Sequence, residues 1–150
     1  MPQSLSRVVV HGVFSTKDRI PILKKGLQEE LYPYLAGTLK GIDHVPIKIG
    51  GHTDHVRMLF GMSRNISVAK TIEVVKVSSS KWIKTKSHEF KDFGWQNGYE
   101  IFSVSPSDTD NVIHYISNQE EHHKVISFED EYRALLTEFG IPFDERYVWD

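Results

Sequence analysis

The chain of 150 residues contains no cysteine. That excludes disulfides, thiolate zinc sites and cysteine nucleophiles, so any metal has to be held by His, Asp, Glu or Gln side chains, a donor set that favours Mg or Mn over structural zinc. No apolar run approaches the roughly 20 residues that span a bilayer, which argues against membrane insertion. Residues 1–10, MPQSLSRVVV, lack both a basic start followed by a long apolar stretch and a small-residue cleavage site, so no signal peptide is expected and the cytoplasm is the expected compartment. Repeats and low-complexity stretches are missing as well. What is present is ordinary for a soluble globular protein: 39% hydrophobic and 25% charged residues, in a length that suits one domain over 1–150.

The formal net charge of −2 hides an uneven distribution. Residues 64–91 hold seven basic side chains against Glu73 and Glu89, a local balance of +5, whereas residues 108–150 hold eleven acidic ones against Lys124, Arg133 and Arg146, a balance of −8. Arg64, Lys70, Lys76, Lys81, Lys84 and Lys86 are therefore candidate contacts to nucleic-acid phosphates, with a solvated helix face as the plain alternative.

Periodicity gives the elements. Arg7 to Phe14 alternates as a first strand. Beyond Pro21, Ile22, Leu23, Leu27, Leu31 and Leu35 recur at helical spacing, with Pro33 expected to kink or divide the helix. Val45 to Ile49 and His55 to Phe60 read as strands joined by GGHTD, whose glycines suit unusual backbone angles. Ser67 fits an N-cap for a helix to about Lys84, carried by Val68, Ile72, Val75 and Trp82. A strand at Ile101 to Val104 follows, then a helix from Ser107 or Asp108 through about Glu121, and another from Ser127 or Phe128 through Phe139. The order β-α-β-β-α-β followed by helices predicts a ferredoxin-like α+β sandwich with a C-terminal helical extension.

Two segments carry candidate chemistry. On a strand, His55 and Arg57 project from the same face, opposite to Val56, Met58 and Phe60. On a helix, Val112, Ile113 and Ile116 form an apolar cluster, and Tyr115, Gln119 and His122 fall on one stripe beside it. A phenol is a weak nucleophile near neutral pH, so attack by Tyr115 on a phosphodiester calls for a divalent cation and a base, a part that His122 could take. The plain readings are an amphipathic packing tyrosine, a partly buried strand histidine, and helix-end roles for His122 and His123. Trp82, Trp95 and Tyr99 suit either base stacking or the core.

At these residues the chain resembles the small single-tyrosine transposases of the HUH endonuclease superfamily, insertion-sequence IS-two-hundred type, including the REP-associated tyrosine transposases. VFSTKDR, GGHTDHV, SSSKWI, FGWQNGYEIFSVSPS, YISNQEEHH, SFEDEYRALL and FDERYVWD carry the resemblance, in order, along nearly the whole chain. It implies a ferredoxin-like homodimer that recognises hairpins in single-stranded DNA, cuts beside them and forms a 5′-phosphotyrosine intermediate, with composite active sites between subunits in some members. On this resemblance Tyr115 is the nucleophile on the C-terminal extension, Gln119 a ligand of Mg or Mn, and His55 the first histidine of the His-hydrophobe-His motif.

Arg57 departs from that pattern. It occupies the place of the second histidine, has no lone pair for a metal and stays protonated, so metal binding and cleavage are expected to be impaired. Three readings follow: a metal-dependent tyrosine transposase that tolerates Arg57; a catalytically impaired or domesticated hairpin-binding protein; and a ligand-binding ferredoxin-like module unconnected to DNA. Steep salt dependence of binding separates the first two from the third.

Overall fold

The computed structural model describes residues 2–150. Four strands, β1 (Val9–Ser15), β2 (Val45–Gly51), β3 (His55–Gly61) and β4 (Glu100–Val104), form one antiparallel sheet in the order β2-β3-β1-β4. Helices α1 (Lys25–Gly41) and α2 (Val68–Lys84) complete the expected βαββαβ order. Three further helices follow, α3 (Thr109–Ser117), α4 (Gln119–His122) and α5 (Phe128–Glu138). This is the ferredoxin-like sandwich with its C-terminal helical extension. Among the described residues, no helix is long and apolar enough to cross a membrane.

Alternation on the two central strands makes two cores. Val10 and Phe14 on β1 with Val56, Met58 and Phe60 on β3 meet Leu27, Leu31, Leu35 and Leu39 of α1 and Ile72, Val75 and Ile83 of α2. The other face meets the C-terminal helices through Val13, Phe102, Phe128, Tyr132 and Leu136, and through Val9, Leu59 and Ile116. The sheet is thus covered on both sides.

Ser67 caps α2 as expected, whereas Asp108, expected with Ser107 to cap the next helix, precedes α3 without a side-chain cap bond. Ser67 accepts the Lys70 N–H through its side chain, and Ser127 does the same for Asp130. At the end of α2 the core position belongs to Ile83, while Trp82 lies half-buried and stacks on Tyr34 at 4.7 Å.

Two expectations need correction. Pro33 lies inside the unbroken span of α1; it sits on the exposed side, where water can serve the carbonyl its missing N–H leaves free. The helix expected to run through Glu121 instead pauses at Asn118, whose φ of −103° and ψ of 21° end α3 and begin α4. Tyr115 and Gln119 therefore belong to successive helices.

Candidate active site

Strand β3 builds the floor of the site. His55, Arg57 and Leu59 face away from the α1–α2 core and stand opposite Ser15, Val13 and His11 of β1. Glu100 of β4 stands opposite Val13 on the other flank, so Arg57, Val13 and Glu100 form one row across three strands. Helix α3 reaches this face because of Gly50. A Cβ at that position would lie 2.5 Å from Ile116 Cγ2 and 2.9 Å from the Ile116 carbonyl oxygen, so a side chain on β2 would push α3 away.

The Gln119 side-chain oxygen is where the two segments meet. Arg57 Nε donates to it at 3.0 Å, and His55 Nε2 and His123 Nε2 lie 2.8 Å and 3.0 Å from it. The Gln119 amide nitrogen donates to the Tyr115 carbonyl at 3.1 Å, which ties the tyrosine turn to the same residue. His55 is held from behind, with Nδ1 2.8 Å from Asp54 Oδ1 and its ring stacked on Phe128 at 4.3 Å.

Arg57 is wholly buried and forms an ion pair with Glu131, which is 3% exposed on α5. Its guanidinium carbon lies 5.1 Å from the centre of the Tyr115 ring, and its Nη1 lies 3.4 Å from His11 Nε2. Glu131 offers its other oxygen to the histidine side, where it pairs with His122 Nε2 and lies 3.4 Å from His123 Nε2. The His122 ring meets Tyr115 edge-on at 5.2 Å.

Burial and the Arg57 charge govern protonation here. Burial, then Arg57 and His55, push His11 down to about 3. Burial and the neighbouring His55 push His123 down to about 4, and burial lowers His55 against the opposing pull of Asp54. These imidazoles are neutral at pH 7, the state a metal ligand or a base requires. Burial raises the Tyr115 phenol while Arg57 opposes it. Burial also lifts Glu100 to about 8, again against Arg57, so this carboxyl is mostly protonated at pH 7.

The donor set bears on the divalent cation that the motif suggested. His55 and Gln119, the two ligand candidates, do come together, and Arg57 at the third position supplies hydrogens rather than a lone pair. His123 and Glu131 bring a further nitrogen and oxygen to the same place: the candidate ligand atoms of His55, His123 and Glu131 all lie within 4.8 Å of one another. With neutral imidazoles, an amide oxygen and a carboxylate converging, these residues fit a divalent cation.

Sequence reasoning missed His123 as a site member and missed Glu131, His11 and Glu100. A signal for Glu131 was present, because it interrupts the buried stripe of α5 between Phe128 and Tyr132 with a charge. His11 and Glu100 carried no such mark, since only the ladder register places them.

The candidate phosphate contacts lie elsewhere. Lys70, Lys76, Lys81 and Lys84 are on α2, on the layer across the sheet from Tyr115, with Lys86 just beyond that helix and Arg64 in the turn before it. Lys81 and Lys84 are exposed, and Lys86 lies 4.6 Å from the Trp82 ring and pairs with Glu30. Lys76 is engaged within the fold, donating to the Gln96, Asn97 and Gly98 carbonyls at 2.7, 3.2 and 2.6 Å. Trp95 is core, 7% exposed, with its indole N–H on Ser79. On the tyrosine side, a cavity of about 420 Å³ opens between α3 and α5 over β4, lined among others by Tyr115, His122, Phe102 and Phe139.

Known proteins share this arrangement of elements. A candidate transposase from Deinococcus radiodurans R1 superposes with a TM-score of 0.62 at 18% identity, covering 79% of this chain and 98% of the other. A REP-associated tyrosine transposase bound to a REP hairpin superposes with a TM-score of 0.61 at 9% identity, covering 84% of this chain and 74% of that one. At such identities the likeness is one of fold. No curated protein matches the chain. The family described as Transposase IS200 like matches residues 4–119, well over half of the sequence, and the protein belongs to that family.

Proposed function

We propose that this transposase-family protein binds hairpins in single-stranded DNA and cuts the strand beside them through Tyr115. The carrying observation is the convergence of two distant segments on one oxygen: Gln119, in the turn after Tyr115, meets both His55 and Arg57 of β3. A tyrosine used only for packing has no need of that arrangement.

In this reading the Tyr115 hydroxyl oxygen attacks the phosphorus of the scissile phosphodiester. A phosphotyrosine bond forms, the bond to the 3′ oxygen breaks, and that oxygen leaves as a hydroxyl after taking a proton from water. His122, edge-on to the ring, accepts the phenol proton. Arg57 stands 5.1 Å from the same ring and favours negative charge developing there. A divalent cation held by His55 and Gln119 with their neighbours would polarise the phosphodiester. The exposed lysines of α2 and Arg64 in the turn before it supply sequence-independent phosphate contacts. The homodimer expected of the family extends this reading, with sedimentation as its check.

A second reading is a hairpin binder that does not cut. It is favoured by the engagement of Arg57 with Glu131 and Gln119, which occupies the position of the second histidine with a buried cation. Both readings meet one experiment. Wild type, Tyr115→Phe and Arg57→His are incubated with single-stranded DNA hairpins and Mg or Mn, and covalent adducts are read on a denaturing gel. An adduct in wild type that is lost in Tyr115→Phe supports cutting; an adduct only in Arg57→His supports the silent binder. No hairpin binding at low salt would count against both.

A further inference from the structure

Around Gln119, acceptors face acceptors. His55 Nδ1 lies 2.8 Å from a carboxylate oxygen of Asp54, and His123 Nδ1 lies 2.9 Å from the Ile126 carbonyl. Both partners only accept, so each Nδ1 carries the ring proton and donates it. In a neutral ring that leaves each Nε2 with a bare lone pair. Those lone pairs point at the Gln119 oxygen, at 2.8 Å and 3.0 Å, and His123 Nε2 also faces Glu131 Oε2 at 3.4 Å. Nothing in the protein supplies a proton between these pairs.

Rearrangement does not resolve this. Turning the Gln119 amide over would set its NH2 against the Arg57 Nε–H and its oxygen against the Tyr115 carbonyl, exchanging two good contacts for two bad ones. Protonating either ring would add a second buried positive charge beside Arg57. A metal cation answers all the lone pairs together. Ligand atoms about 2.0–2.1 Å from a small divalent ion lie about 3.0–3.4 Å apart; the contacts of Gln119 and Glu131 with the two rings, at 2.8, 3.0 and 3.4 Å, are near that spacing, and the widest separation in the His55, His123 and Glu131 set, 4.8 Å, closes slightly on binding. Behind them, Asp54 and the Ile126 carbonyl hold the two rings as outer partners of ligating histidines commonly do.

We propose that His55 Nε2, His123 Nε2, the Gln119 oxygen and Glu131 form a divalent metal site, in which His123 and Glu131 stand in for the histidine that Arg57 replaced. Two imidazoles direct the choice towards a first-row transition ion such as Mn, Co or Zn rather than Mg. Glu131 serves both cations, one oxygen towards Arg57 and the other towards the histidines. This assignment is independent of the DNA reading, because metal uptake needs no DNA.

The test is a titration of the purified, chelator-treated protein with Co2+ alone, followed by visible absorption and by thermal unfolding. Wild type is expected to saturate at one Co2+ per chain, with a rise in Tm, and excess Mg2+ should not displace the ion. His123→Ala and Glu131→Gln should each weaken binding tenfold or more, while His88→Ala, at an exposed position outside the site, should bind as wild type. His123→Ala leaves the Arg57–Glu131 pair intact, so it decides the matter even if Glu131→Gln fails to fold. Folded wild type without saturable uptake, or a His123→Ala protein that binds as tightly as wild type, would overturn the assignment.

Discussion

Arg57 of β3 and Glu131 of α5 form a buried ion pair that joins the sheet to the C-terminal helix. Two charges with 0% and 3% exposure stabilise the fold only as long as both are present. Arg57→Met or Glu131→Leu alone should therefore cost about 3–5 kcal/mol, and the double variant should recover most of that loss. Urea unfolding measures it, with unchanged slopes confirming that stability alone has moved. Losses that simply add in the double variant would show that the two residues act separately.

Gly50 sets how close α3 comes to the sheet. Gly50→Ala should destabilise the protein by about 1–3 kcal/mol, because its methyl group meets both the Ile116 side chain and the Ile116 backbone. Ile116→Ala added to it should relieve only part of the loss, since the carbonyl contact remains. Full rescue in denaturant unfolding would mean that the side chain alone sets the distance.

The pH dependence has two limbs of opposite sign. Glu100 sits at about 8 against an ordinary 4.5, so the folded state keeps a proton that the unfolded chain releases. Its stabilising contribution is whole below pH 4.5 and is lost as pH rises through about 8. His11 and His123, lowered from 6.5 to about 3 and about 4, act on the acid side: the unfolded chain takes up their protons first, so stability falls as pH drops below 6.5. Glu100→Gln should raise Tm at pH 8 and change it little at pH 5. An equal change at both would show that ionisation of Glu100 is not the cause.

DNA binding should separate the lysines of α2 by role. Lys81 and Lys84 are exposed, so Lys81→Gln and Lys84→Gln should each reduce the slope of log K against log salt by about 0.7 with little effect on stability. Lys76 is tied to three carbonyls, and Lys76→Met should lower Tm instead. A salt slope unaffected by both exposed substitutions would move the footprint off this helix.

Much of the fold was legible because α1 and α2 each bury one regular face, β1 and β3 are continuous β-rich runs buried on both faces, and Ser67 and Ser127 mark helix starts with caps that need no distant partner. The pause at Asn118 was not legible, because YISNQEEHH keeps a continuous helical stripe through it. At the site, alternation on a strand and spacing on a helix grouped the residues within each segment, and the meeting of His55 with Gln119 was what the family resemblance implied. Glu131 joined them only because Phe128 and Tyr132 dock α5 on the sheet beside Arg57, and that depends on the tertiary packing of side chains far apart in sequence. His123 was read as a helix-end residue, and its bond to Ile126 partly honours that reading while turning the ring towards Gln119.

The exposed lysines of α2 and the tyrosine of α3 lie on opposite sides of the sheet. Layers in such a sandwich are spaced by about 10 Å, so the two surfaces are on the order of 20 Å apart. A strand that grips one and is cut at the other must bend round a sheet edge, which imposes a minimum spacer between the base-paired stem and the break. If, as proposed, Tyr115 cuts a strand gripped by these lysines, a spacer below that length leaves a single subunit no productive register, and a break closer to the stem then has to fall on the tyrosine of a second molecule.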